Sequence, residues 1–199
     1  PHSFNYTPKA ASIIEKSNIT RLMETDEGIL IGTNHGLLIY DPKENLVHEP
    51  NAFEEDLFVS AILRTHDNRI LIGTDGRGIW EYKKTGEMYS ISSLYDRTAD
   101  FNISYGKVMD LKEDMKGNII GAFLQKGLVV IPPQNDCFHY YAISPLDNRN
   151  NATCITSMTI DSQGNYWVGT DGCGVFTTKD MDMATAYPIT NGLRSLLVQ

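Results

Sequence analysis

A unit of apolar strand, Gly-Thr and glycine-rich turn recurs along the chain, and it constrains the fold more than any other feature. The clearest copy spans residues 162–176, where two short apolar strands flank the Gly-Thr and the glycine-rich turn. Counting between Gly32, Gly73, Gly121 and Gly169 gives spacings of 41, 48 and 48 residues. Repeats of this length built from short strands are typical of β-propeller blades.

Composition limits the classes of partner. The 199 residues are 41% hydrophobic and 21% charged, which is enough apolar surface to build a core. The formal net charge is −8, and no run of Lys or Arg offers the basic stripe that a phosphate backbone requires, so we predict no nucleic-acid contact by this segment. No apolar run approaches the roughly 20 residues of a membrane-spanning helix, so contact with a membrane is expected only through a parent protein.

The repeat predicts an all-β fold, a β-propeller of four-stranded antiparallel blades. Turn signals between short apolar runs indicate hairpins throughout. We expect an open segment of about four blades cut from a larger propeller, because both ends read as partial blades. The expected boundaries are 1–10 for the end of a preceding blade, 11–50, 51–92, 93–143 and 144–190 for four blades, and 191–199 for the start of a following blade.

One motif runs through all four units, and the fourth unit carries it most completely. Its residues there are Asp161, Gly164, Asn165, Trp167, Gly169, Thr170, Gly174 and Val175. The third unit keeps Asp114, Gly117, Asn118, Gly121, Gly127 and Leu128, the first keeps Gly28, Gly32, Thr33, Gly36 and Leu37, and the second keeps Asp67, Gly73, Thr74, Gly78 and Ile79. The departures are Arg69 in place of a turn glycine, Ala122 in place of a threonine, and a tryptophan in the fourth unit alone.

This motif resembles the two-component regulator propeller repeats of bacterial hybrid two-component systems. The resemblance covers nearly the whole chain. It implies the extracytoplasmic, periplasmic sensor region of an inner-membrane protein, which recognises glycans, usually breakdown oligosaccharides. It also implies a parent protein with a membrane helix, a histidine kinase, a receiver and a DNA-binding module.

The polar residues of the repeat have structural explanations. The Asp-x-x-Gly turns lack the closely spaced ligands of a calcium loop, so we expect the Asp side chains to accept backbone N–H groups. The recurring threonines Thr33, Thr74 and Thr170 are expected to bond within their own blades. Cys154 and Cys173 should lie on the same face, either as two thiols, which we favour, or as a disulfide. We predict no cofactor, no metal site and no catalytic residue.

Ligand binding is expected where the units differ, on the face that holds the Gly-Thr turns. The long connections 93–106 and 144–153 should reach that face, because loops on a rigid scaffold commonly carry binding. Their polar and aromatic residues suit sugar hydroxyls and sugar faces. The candidate ligand-binding residues are His35, Asp75, Arg77, Tyr95, Tyr105, Gln125 and Asp171.

The sequence thus predicts a periplasmic segment of a hybrid two-component sensor histidine kinase that binds a glycan-derived signal without catalysis. A propeller enzyme of lyase or lactonase type and a protein-interaction propeller are the alternatives. Expected partners are an oligosaccharide or other small ligand and the further blades of the parent propeller. We also expect self-association, because an open arc exposes apolar blade faces. Ligand identity, total blade number, oligomeric state and the signalling face are left open.

Overall fold

The computed structural model of the protein describes residues 3–50, 56–85, 88–93, 105–133, 139–141, 154–171, 173–179 and 187–189. Within these residues the chain forms strands β1 to β17 and the helix α1 (Pro8–Lys16). The strands assemble into separate sheets in the order in which they occur along the chain.

Each sheet comes from one repeat unit. The first sheet holds β1 (Asn5–Tyr6), β2 (Ile19–Thr25), β3 (Gly28–Thr33), β4 (Gly36–Asp41) and β5 (Leu46–His48). The second holds β6 (Val59–Arg64), β7 (Ile70–Thr74), β8 (Ile79–Thr85) and β9 (Met88–Ser93). The third holds β10 (Val108–Glu113), β11 (Ile119–Phe123), β12 (Gly127–Ile131) and β13 (His139–Tyr141). The fourth holds β14 (Cys154–Ile160), β15 (Tyr166–Asp171), β16 (Val175–Thr178) and β17 (Tyr187–Ile189).

Apart from β1, neighbouring strands in these sheets run antiparallel in chain order. The predicted all-β, propeller-type fold of four-stranded antiparallel blades is therefore confirmed. The first strands of consecutive sheets contact one another, which places them nearest the common axis. The second strands of the second and third sheets, β7 and β11, are buried on both faces, as their continuous apolar runs indicate.

The core lies between consecutive sheets. Leu30 and Ile39 of the first sheet pack with Ile72 of the second, and Leu71 of the second packs with Val129 of the third. Ile120 of the third sheet joins the buried side chains of the fourth in the same way. Among the described residues, the buried clusters that join two sheets always join neighbours in chain order.

Close approach between sheets depends on a glycine near the end of the second strand. A Cβ added at Gly32 would lie 2.6 Å from Cγ1 of Val59, and one added at Gly73 would lie 2.6 Å from Cγ1 of Val108. Both valines begin the first strand of the following sheet and are fully buried. A side chain at either glycine would therefore displace the next sheet.

The third sheet departs from the expected alignment. Gly121 pairs with Leu111 and a Cβ there would meet Phe123 and Ile79, which belong to its own sheet and to the preceding one. The residue that faces the fourth sheet is Ala122, which is buried in the cluster that joins the two sheets. Phe123 lies nine residues after Asp114, as Thr170 lies nine residues after Asp161, so Phe123 takes the place of the threonine and Ala122 that of the glycine. The assignment of Gly121 to the repeat glycine was wrong by one residue.

The N-terminal segment is also different from its predicted role. Residues 1–10 were assigned to the end of a preceding blade, but β1 pairs in parallel with β5 at the rim of the first sheet. Thr7 then caps α1 by accepting the N–H of Ala10, and Pro8 occupies the first helical turn. Ala10 is buried against Leu38 of the first sheet. Residues 3–10 belong with the first sheet, because β1 pairs with β5 and Ala10 is buried there.

Candidate ligand-binding surface

Two edges of the sheets need names. We call the edge formed by the turns after the second strands, residues 34–35, 75–78, 124–126, 171 and 173–174, the Gly-Thr edge. We call the edge formed by the turns between the first and second strands, residues 26–27, 65–69, 114–118 and 161–165, the Asp-turn edge. Because the strands alternate in direction, the first strands begin at the Gly-Thr edge and end at the Asp-turn edge.

The threonines hold the turns of the Gly-Thr edge in place. Thr33, Thr74 and Thr170 are buried, and their hydroxyls donate to the carbonyls of Gly36, Gly78 and Gly174 over 2.7–2.9 Å. The same hydroxyls accept backbone N–H groups from the turns, for example that of Arg77. The prediction that these threonines bond within their own blades is confirmed.

A compact polar and aromatic group lies where the second and third sheets meet at this edge. Nζ of Lys107 lies 2.7 Å from Oδ2 of Asp75 and 5.9 Å from the ring centre of Phe58. The two charged side chains are 35% and 30% exposed, so they are open to a ligand yet partly shielded from water. We call Phe58, Asp75 and Lys107 the Lys107 cluster.

Backbone hydrogen bonds fix the position of this cluster. The N–H of Asp75 donates to the carbonyl of Phe58, and the N–H of Gly78 donates to that of Gly106. On the other side, the N–H of Leu124 donates to the carbonyl of Lys107. The segment 105–107 is therefore clamped between the turns of the second and third sheets, and its side chains project from a preorganised support.

A second pair lies at the first sheet. Nδ1 of His35 lies 3.2 Å from Oδ1 of Asp56, and Asp56 has a φ of +67°. The carboxylate is largely exposed, so the pair is accessible from solvent. It offers an imidazole and a carboxylate that could exchange hydrogen bonds with hydroxyl groups.

The structure places most of the predicted ligand-binding residues at the Gly-Thr edge. His35, Asp75, Arg77, Gln125 and Asp171 lie in or beside its turns. Tyr105 is 76% exposed next to Gly106, so the described end of the long connection 93–106 reaches the same edge as Arg77. Tyr95 and the connection 144–153 lie outside the described residues.

Sequence reasoning missed three residues that the structure brings to this surface. Phe58 and Lys107 each directly precede the first strand of a sheet, and Asp56 lies two residues earlier than Phe58. Aligning the four units on the start of the first strand would have indicated these positions. The search followed the Gly-Thr turns instead, and these are only half of the surface.

At the Asp-turn edge, the aspartate side chains accept hydrogen bonds from their own turns. Oδ1 of Asp161 accepts the N–H groups of Gln163 and Asn165, and Oδ2 accepts Nδ2 of Asn165 and Nε1 of Trp167. These hydrogen bonds, the Asn165 side chain first, hold the pKa of Asp161 well below its ordinary value. The carboxylate oxygens are thus occupied by donors of the turn, which confirms the predicted role of these aspartates.

Asp114 has the same role in the third sheet with one addition. Its Oδ1 accepts the N–H groups of Lys116 and Asn118, and its Oδ2 accepts the hydroxyl of Tyr166 from the fourth sheet at 2.7 Å. Burial raises the pKa of Asp114. The hydrogen-bond donors, led by Asn118 and Tyr166, lower this pKa by a larger amount, so the net shift is downward.

Two further observations concern metals and thiols. Within the described ranges, no group of three or more His, Cys, Asp and Glu residues is arranged to hold a metal ion. Cys173 is a free thiol in the turn of the fourth sheet, and Cys154 pairs through its backbone with Asp171 at the same edge.

Comparison with known families identifies the repeat. Residues 150–172 match the model of the two component regulator propeller family. This stretch is similar to one two-component regulator propeller repeat. The matched residues include Asp161 and Gly169, and the resemblance stated from the sequence is confirmed there. The other three sheets repeat the strand order of this unit.

The solved structures that share this fold belong to longer chains. The extracellular domain of a protein described as a hybrid two component system, BT3049 of B. thetaiotaomicron, matches with a TM-score of 0.65 and 16% identity over 100% of this chain and 25% of that one. The extracellular domain of BT4673 from the same organism, described as a one component system, matches with a TM-score of 0.56 and 21% identity, over 77% of this chain and 20% of that one.

PorZ, a bacterial surface component of the type-IX secretion system of Porphyromonas gingivalis, gives a TM-score of 0.63 and 11% identity over 90% of this chain and 28% of that one. The propeller repeats described here thus span about a quarter of the length of these proteins. No curated protein matches the chain significantly. The described part of the chain contains no helix with the length and apolar character that crossing a membrane requires.

Proposed function

We propose that this chain is a ligand-sensing segment of the periplasmic region of a hybrid two-component sensor histidine kinase. It binds an oligosaccharide or a related small ligand at the Gly-Thr edge and passes the signal on without catalysis. This assignment implies that the whole protein also contains a membrane helix and a kinase. The family of the repeat and the extracellular location of the domains with the same fold support the proposal.

The observation that carries the ligand assignment is the Lys107 cluster. Its ammonium group and carboxylate offer donors and acceptors about as far apart as neighbouring hydroxyls of a sugar ring, and Phe58 offers an apolar face beside them. The cluster is supported by main-chain hydrogen bonds on both sides, which lowers the entropy lost on binding.

Chemistry of the pairs favours binding over catalysis. Lys107 and Asp75 lie 2.7 Å apart as an ion pair, so each charged group is already engaged by the other. The pair of His35 and Asp56 is the one arrangement that favours a second candidate, a propeller enzyme, because a carboxylate beside an imidazole orients a general base.

Binding can be tested on the complete extracytoplasmic region with a library of oligosaccharides. We expect Lys107→Met to weaken binding of any ligand found by at least tenfold. The substitution removes the cation, and Asp75 loses the partner that orients its carboxylate. The matched control is Arg64→Met, which removes another ion pair between sheets, with Asp26, at the opposite Asp-turn edge. Binding by the control should stay within twofold of wild type.

A parallel assay separates the enzyme alternative. Each ligand found is incubated with the protein and analysed for new reducing ends or unsaturated products. We expect the ligand to be recovered intact. Turnover that His35→Gln abolishes would instead establish the enzyme, and equal binding by the Lys107 variant and wild type would refute the proposed site.

A further inference from the structure

A cleft opens at the Asp-turn edge between the first and second sheets. At the third junction, Tyr166 occupies the corresponding place, and its hydroxyl reaches Asp114 of the preceding sheet. Ile70 holds the same register in the second sheet, since each of the two pairs with the last residue of its first strand. Ile70 is smaller and has no hydroxyl, and the first sheet turns here with only two residues, 26–27. A cleft of about 400 Å³ therefore remains.

The cations that line this cleft lie deeper than their partners. We call the cleft, with its cations Arg64, Arg69 and Lys84, the Arg64 cleft. The side chains of the three cations are 37%, 33% and 32% exposed. Each pairs with a carboxylate that is more exposed, at 87% for Asp26, 60% for Asp67 and 46% for Glu27. Solvent therefore competes for the carboxylates more than for the cations.

Two of the cations cross the junction and converge. Nη2 of Arg64 lies 3.2 Å from Oδ2 of Asp26, and Nζ of Lys84 lies 2.6 Å from Oε1 of Glu27. Because Asp26 and Glu27 are neighbours in one turn, the guanidinium and the ammonium group are held at the same end of the first sheet. Ion pairs as exposed as these contribute little to stability. A more highly charged anion could therefore take the place of the two carboxylates at small cost to the fold.

The floor of the cleft is apolar. Leu30 and Ile39 of the first sheet and Tyr82 of the second line it, and all three are buried. A low-dielectric wall concentrates the field of the cations beside it. The planar guanidinium of Arg64 presents two N–H groups that match two oxygens of one oxyanion. The cleft thus suits a compact anion with several acceptor oxygens.

We propose that the Arg64 cleft binds a tetrahedral oxyanion with two negative charges, either a phosphate ion or the phosphoryl group of a small phosphate ester. The oxyanion replaces the carboxylates of Asp26 and Glu27 between Arg64 and Lys84. The cleft lies at the edge opposite the Lys107 cluster and takes a different ligand, so this proposal does not depend on the oligosaccharide site.

Isothermal titration calorimetry of the complete extracytoplasmic region with inorganic phosphate tests the site. Sodium chloride keeps the ionic strength constant, and the pH is chosen so that phosphate is a dianion. We expect saturable binding, and Arg64→Met and Lys84→Met should each raise the dissociation constant about tenfold, because each removes a charge-assisted contact. The control is Lys112→Met, which removes the same charge from a pair with Asp110 in the third sheet. Its phosphate binding should equal that of wild type.

A variant with the opposite expected effect makes the test sharper. Asp26→Asn removes a carboxylate that competes for Arg64, so it should bind phosphate more tightly than wild type. Asp26 is largely exposed, so folding should be retained, and circular dichroism checks it. Glycerol 3-phosphate is titrated in parallel: tighter binding than inorganic phosphate supports a site for phosphate esters, and weaker or equal binding supports a site for the free ion.

Three results would overturn the proposal. The first is the absence of saturable binding of either compound at constant ionic strength. The second is an equal loss of binding in Arg64→Met and Lys112→Met, because phosphate would then respond only to overall charge. The third is weaker phosphate binding by Asp26→Asn, since the carboxylate would then support the site instead of competing for it.

Discussion

The junctions of the propeller segment are closed in two different ways. Between the first and second sheets, and between the second and third, a glycine admits the next strand, and a hydroxyl reaches across. Thr20 donates to the carbonyl of Val59 at 2.6 Å, and Ser60 donates to that of Val108 at 2.5 Å. These hydrogen bonds lie at the start of the first strands, close to the axis.

The junction between the third and fourth sheets lacks both devices. Ala122 stands in place of the glycine, and Met109, which has no hydroxyl, stands in place of the threonine and serine. Its polar link is instead the buried hydrogen bond from Tyr166 to Asp114 at the Asp-turn edge, with a weaker one from the N–H of Met158 to Asp110. The same sheet packing thus tolerates a polar link at either edge, so the apolar core sets the architecture and the polar links are adjustable.

The largest effect is expected at the glycines of the first two junctions. Gly73→Val places side-chain atoms where Val108 already lies, and overpacking of this severity should cost about 3 kcal/mol. Urea unfolding measures the loss. A midpoint urea concentration equal to that of wild type would contradict the assigned role.

Breaking the polar link of the third junction should cost less. Tyr166→Phe leaves the buried Asp114 carboxylate without one donor, and the loss of a hydrogen bond to a charged group should cost about 2 kcal/mol. The comparison is with Tyr40→Phe in the first sheet, whose hydroxyl donates to Oδ1 of the neutral Asn45 at 3.3 Å. If the two substitutions have equal effects, the link between Tyr166 and Asp114 has no special place in the third junction.

The pH dependence sharpens the same contrast. The pKa of Asp114 in the folded state lies below the ordinary 3.8, so its carboxylate stabilises the fold above that pH. This stabilisation is lost as the pH falls through the folded-state pKa. Unfolding free energies measured from pH 6 down to pH 2.5 should therefore fall less steeply in Asp114→Asn than in wild type. The slope of unfolding free energy against pH is also measured for Asp67→Asn, because the Asp67 carboxylate in the second sheet has a lowered pKa too.

The hydroxyl links near the axis should contribute still less. Ser60→Ala removes one neutral hydrogen bond to a backbone carbonyl and should cost about 1 kcal/mol. Met109→Ala probes the equivalent position of the third junction, where no hydroxyl is lost. A double variant with Thr20→Val should show additive losses, because the two hydrogen bonds lie at different junctions.

The smallest effect on stability is expected at the Gly-Thr edge. Lys107→Met breaks a partly exposed ion pair, and such pairs are worth about 0.2–1 kcal/mol. The same substitution should abolish most ligand binding, so its effects on stability and binding separate. Parallel losses of folding and binding would show that the Lys107 cluster is chiefly structural.

Most of the fold could be predicted because each repeat carries its own turn and strand signals. The turns around Asp161 and the bonds of Thr170 followed from local chemistry that needs no distant partner. The parallel pairing of β1 could not be predicted, since two residues give no periodicity and their partner lies about 40 residues away. The shift at Gly121 arises because this unit has a glycine one position before the repeat position, which Ala122 fills. The motif was aligned on the glycine, whereas the strand pairing aligns Phe123 with Thr170.

The candidate site was predicted in part for a similar reason. His35, Asp75 and Gln125 lie in turns that the repeat marks clearly, so their edge was evident from the sequence. Lys107 and Phe58 meet across a junction of sheets, and such a contact depends on the rotation between neighbouring sheets. No periodicity in the sequence encodes that rotation.

Hydrogen–deuterium exchange on the complete extracytoplasmic region tests the central claim, which is that ligand binds at the Gly-Thr edge of this segment. Exchange is compared with and without an oligosaccharide that binds in the library screen. The account predicts slower exchange in residues 75–78 and 105–107, with residues 65–69 and 114–118 of the Asp-turn edge unchanged. Protection confined to the Asp-turn edge, or to parts of the protein outside this chain, would contradict it.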